Sequence, residues 1–132
     1  MRLTFTECMP MSNAPDSSRS QGTPPVVRAD LLTAVLGDPK AVERVEIQRI
    51  EMPPNLASGL HLHPVPVVGV VTKGSVYFQV EGEEARVLKP GDAFFEPANA
   101  RVPHFDAQEQ GASFVAYYLL GAGDGELLRM LE

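Results

Sequence analysis

At 132 residues the chain is long enough for one domain with a proper core and too short for several. Hydrophobic residues make up 44% and charged residues 21%, an ordinary globular balance, and the net charge of −6 leaves nucleic-acid binding without an electrostatic footprint. The sequence lacks both a membrane-spanning apolar stretch and a secretory signal, its single cysteine excludes an internal disulfide and a cysteine-rich zinc site, and a cytoplasmic location is expected.

Residues 1–25 read as a flexible leader, because 9–25 are polar and rich in serine and proline and bury too little apolar surface to offset the entropy of ordering. Cys8 falls within it as a surface thiol of no chemical importance; a partner-binding arm or a strand exchanged across a dimer is the alternative. Residues 26–132 read as the folded domain. Leu31 to Leu36 fits either a short helix framed by Asp30 and Gly37 or a strand. From Val45 to Met52 the apolar residues fall at 45 and 47, then at 50 and 52, a phase change that predicts a β-bulge before the turn at Pro53, Pro54 and Asn55.

His61 and His63 come next. Alternate strand residues share a face, so the pair points two imidazoles to one side, roughly 6.5–7 Å apart. Neutral imidazole is the commonest protein ligand for zinc, iron, nickel and copper, and a third histidine from another strand would complete a facial set. A lone histidine is more often a satisfied polar residue; two on one strand face leave that reading and a metal site both open.

Val67 to Thr72 is continuously apolar, as in a strand covered on both sides. Lys73, Gly74 and Ser75 predict a turn into a strand from Val76 to Val80, and residues 81–84 a hairpin toward 85–88. Pro90, Gly91 and Asp92 have turn chemistry. Ser113 to Leu120 is the last long strand, followed by a glycine-rich turn at 121–125 and a short helix from Glu126 to Leu131. Many short strands with regular turns predict an all-β sandwich or barrel.

Two motifs carry a resemblance to the cupin superfamily over about residues 42–120. His61, His63 and Gly74, with Gly59 just before the pair, fit the first cupin motif; Gly91 and Pro97 fit the second. The resemblance implies a jelly-roll β-barrel, favours a strand at Leu31 to Leu36, and implies one divalent ion (iron, nickel, manganese or zinc) held by His61, His63 and His104. Two departures stand out. The first-motif glutamate belongs at 67 or 68, where this chain has valines. In the second motif the histidine belongs five residues after Pro97, whereas His104 lies seven after it, and Asn99 replaces the motif glycine. A shift of two preserves strand parity, so His104 is expected to point inward. Three neutral histidines would leave the ion's charge uncompensated and favour an anionic ligand or hydroxide.

The barrel mouth is where a small molecule would bind. Tyr77, Phe95 and Tyr117 are candidate pocket residues, with Phe94, Phe105 and Tyr118 beside them, although strand aromatics are more often plain core. Gln79 is a candidate neutral oxygen near the ion. Glu96 is the candidate catalytic residue, as a base or a replacement carboxylate ligand; the alternative is an ion pair with Arg101. Asp106 is a candidate acceptor that orients a histidine. The resemblance implies a small-molecule metalloenzyme of dioxygenase-like type; the alternative is a non-catalytic module that binds a small anion. A homodimer is expected, with a small molecule as ligand and neither nucleic acid nor membrane as partner.

Overall fold

The computed structural model describes residues 25–132, so residues 1–24 of the expected leader, Cys8 included, lie outside the described residues. The chain divides into two units, Met1–Asp30 and Leu31–Glu132, and every strand among the described residues belongs to the second. In chain order these are β1 (Arg44–Met52), β2 (His61–Leu62), β3 (Val67–Gln79), β4 (Arg86–Leu88), β5 (Ala93–Glu96), β6 (His104–Leu120) and β7 (Arg129–Met130). The main sheet runs β1-β6-β3-β4, with β5 on the first part of β3, while β2 and β7 form a second small sheet. All pairings are antiparallel, giving the expected jelly-roll barrel.

The barrel closes on a buried apolar core. Phe78, Phe94, Phe105 and Phe114 form its aromatic centre, with ring centroids 4.7 to 5.9 Å apart in tilted or edge-to-face arrangements. Val67, Val71 and Val76 line β3 toward it.

Several local expectations are corrected. β1 pairs with β6 from Arg44 to Met52 without a register shift, so it holds no bulge. Its apolar phase change reflects two apolar faces: Ile50 and Met52 pack against the core, while Val45 and Ile47 face solvent. The bulges lie in β3 instead, between Val71 and Lys73 and between Gly74 and Val76. The chain does not turn at 73–75. Gly74 adopts φ 70°, and a Cβ there would collide with the carbonyl of Gly111, so only glycine fits the crossing. Leu31 to Leu36 forms neither helix nor strand, and 126–131 forms no helix but carries β7. β6 begins at His104, well before Ser113. Among the described residues no helix is long and apolar enough to cross a membrane.

Candidate metal centre

β2 positions His61 through a bridge to Val102, with His61 N donating to Val102 O (3.1 Å) and Val102 N donating to His61 O (2.7 Å). His63 lies two residues further on, and the two rings meet edge-on with centroids 5.2 Å apart. Each ring is held by a backbone carbonyl: His61 Nδ1 lies 2.8 Å from Gly59 O, and His63 Nδ1 lies 2.6 Å from Leu127 O. A carbonyl only accepts, so Nδ1 carries the proton in both rings and Nε2 is left to bind a metal. Asn99, in the left-handed conformation at φ 65°, donates its N–H to His63 O (2.7 Å) and fixes that backbone from the other side.

Glu96 closes the group. It ends β5 directly opposite Val67, and directly opposed residues of an antiparallel pair project from the same face. The carboxylate missing at position 67 is therefore supplied by its cross-strand neighbour. Glu96 is 2% exposed, and its Oε1 lies 2.7 Å from His63 Nε2. The ligand atoms of His61, His63 and Glu96 all lie within 4.8 Å of one another, and all three residues are buried. Two imidazoles and a carboxylate with this spacing fit one divalent ion. Burial pulls the His63 pKa down, but the hydrogen bond and charge of Glu96, aided by Leu127 O, outweigh it and raise the net value. Burial, reinforced by the charge of Glu96, pushes the Tyr118 phenol up, so it stays neutral; its ring centroid is 5.8 Å from that of His63.

His104 is placed elsewhere. Its Nδ1 lies 2.8 Å from Asp106 Oδ2, and its ring packs edge-on against Tyr77 with centroids 5.2 Å apart. The parity argument fails at Pro103: the inward residues are Val102 and then Phe105, an interval of three, which turns His104 outward. Five residues after Pro97, where the cupin pattern has its histidine, stands the fully buried Val102. Asp106 does hold a histidine, but one outside the group. Gln79 pairs with His104 and donates to Glu83 O (3.1 Å), so it steadies a hairpin and supplies no oxygen to the site. Arg101 pairs with Glu81 (3.3 Å), leaving Glu96 to the histidines.

The group opens onto a cavity of about 200 Å³. Phe94, Phe105, Phe114 and Tyr118 form its aromatic wall, Ile50, Met52 and Val67 an aliphatic one, and the half-exposed Leu128 and Met130 its rim. Tyr77, Phe95 and Tyr117 do not line it. Phe95 and Tyr117 both flank Val68, on the face of the sheet opposite Phe94 and Tyr118. The strand alternation that links Phe94 with Glu96 is the signal that separates these neighbours. Leu127 O had no side-chain signal in the sequence, because its part is played by the backbone.

Residues 48–107 match the family model of the cupin domain. No curated protein matches the chain in sequence. Among solved structures, a chain from the crystal structures of the DMSP lyases RdDddP and RnDddQII is 24% identical at a TM-score of 0.60, covering 68% of this chain and 45% of that one. A cupin-like protein from Thermotoga maritima is 23% identical at 0.57, covering 66% and 64%. Oxalate oxidase in complex with the substrate analogue glycolate is 23% identical at 0.51, covering 57% and 41%. The chain thus spans less than half the length of the lyase and oxidase chains. The fold is that of the cupins, and residues 48–107 are similar to a cupin domain.

Proposed function

We propose that this cupin is a small-molecule metalloenzyme of dioxygenase-like type, its divalent ion held by His61, His63 and Glu96. The observation that carries the reading is the convergence of these three buried groups within 4.8 Å. Two histidines and one carboxylate with open positions form the donor set associated with non-haem iron oxygenases, where the ion supplies binding sites for substrate and dioxygen together. The chain's own part is to hold the two Nε2 atoms toward the ion through Gly59 O and Leu127 O, and to exclude water behind an apolar wall. Glu96 serves as ligand in this reading, rather than as a base.

The test is elemental analysis of protein purified without a tag or added metal, beside His61→Ala, Glu96→Gln and His104→Ala. About one equivalent of metal in the parent and in His104→Ala, lost in the other two, is the expected result. Loss in His104→Ala with retention in Glu96→Gln would return the site to three histidines. Iron directs the substrate search to oxygen chemistry, and zinc to hydrolysis.

A non-catalytic binding module is the second reading. It is favoured by the apolar wall: once Glu96 is a ligand, no other carboxylate, lysine or arginine among the described residues lines the cavity to act as a base. Stoichiometric capture of a ligand without product would establish it. A homodimer is also proposed, supported by the exposed Val45 and Ile47 on β1.

A further inference from the structure

The cavity wall and the charge of the site together specify what the ion's open positions accept. Two neutral histidines leave a divalent ion's charge intact, and Glu96 removes one unit of it, so the loaded site keeps one net positive charge. Among the described residues lining the cavity none is a lysine or arginine. Ser58 offers little, since its hydroxyl donates to Gly59 O (3.1 Å) and accepts from Phe105 N (3.1 Å). Tyr118 is neutral. Phe94, Phe105, Phe114, Ile50 and Val67 make up much of the remainder.

From this we infer that the site selects a molecule with one metal-binding head, carrying at most one negative charge, on an apolar body, and rejects small dianions. The inference rests on the metal site proposed above and names its ligand class. A monoanionic head neutralises the single positive charge, whereas the second carboxylate of a dianion would be pressed against hydrocarbon with no cation, and only the Tyr118 hydroxyl, to replace its water. The size of the body follows from the volume. About 200 Å³ corresponds to roughly six or seven non-hydrogen atoms, taking about 30 Å³ for each as for liquid water.

The experiment uses the full chain loaded with cobalt(II), whose visible bands report both metal uptake and ligand entry. Acetate, butyrate and hexanoate are titrated beside succinate, which matches butyrate in carbon number but ends in a second carboxylate. The expected result is an affinity that rises about fourfold per methylene until the cavity fills, with butyrate at least tenfold tighter than succinate. A flat chain-length series, or succinate binding as tightly as butyrate, overturns the inference while leaving the metal site intact. Absence of protein-bound cobalt bands overturns the metal reading and this inference with it. Ala116→Leu, which fills part of the cavity, is expected to shorten the chain length at which affinity levels off. An unchanged series in that variant puts the alkyl group elsewhere and also overturns the inference; the parent series decides the matter if the variant does not fold.

Discussion

Glu96 is where the charge of the site is set. Glu96→Gln keeps the shape and hydrogen-bonding reach of the side chain but removes its charge, and metal affinity is expected to fall at least about 100-fold, beyond the usual cost of losing an outer-shell partner. Competition against a chromophoric chelator measures this. The same pair controls the metal-free protein. His63 binds its proton more tightly when folded than when unfolded, because the hydrogen bond and charge of Glu96 outweigh burial, so the proton stabilises the fold. That increment is fully present below the ordinary histidine value of 6.5 and is lost as pH rises through the raised one. Thermal melts of metal-free protein between pH 6 and 9 are expected to fall across this window, and in Glu96→Gln to flatten. Metal-loaded protein is expected to gain stability from the metal as pH rises, since Nε2 must be free of its proton to bind.

At the scale of elements, the terminal segment is a strap across the site. β7 pairs with β2, Leu131 N donates to Leu60 O (2.9 Å), and Leu127 O holds His63 in its ligating tautomer. Truncation after Gly125 is expected to weaken metal binding by about 10- to 100-fold, as loss of an orienting partner does, and to open the rim formed by Leu128 and Met130. Calorimetric titration with zinc checks it; unchanged affinity would show that His63 needs no strap. Gly69 on β3 makes room for Phe94, and a Cβ there would collide with that ring and crowd Val115 O. Gly69→Ala is therefore expected to destabilise the barrel by about 1–3 kcal/mol in chemical denaturation. These elements also show where sequence was legible. Strand period and turn chemistry exposed the barrel and aligned Phe94 with Glu96, because both signals are local. The bulges of β3 were hidden, since they arise where one strand crosses another, and so was the outward turn of His104, which follows from the break in alternation at Pro103. β7 has only two paired residues, too few for any period to appear.

For the whole molecule, the long edge strand is where association is expected. β1 pairs with β6 on one side, and among the described residues its other side is open. Val45 and Ile47 add apolar surface at 48% and 60% exposure. An edge of this length and character favours pairing with a second copy. Sedimentation at tens of micromolar is expected to give a dimer, and Ile47→Lys a larger share of monomer; a parent chain that stays monomeric would refute the arrangement. The opposition of Glu96 and Val67 across the β3–β5 ladder carries a different consequence. A sheet defines a site by positions in space, and either partner of a rung can deliver the same chemical group to it. Exchanging the two residues, Val67→Glu together with Glu96→Val, should restore the metal that Glu96→Val alone loses. Such complementation would make the ligand a property of the rung, owned by neither strand, and would explain how a chain can depart from a linear motif while keeping its chemistry.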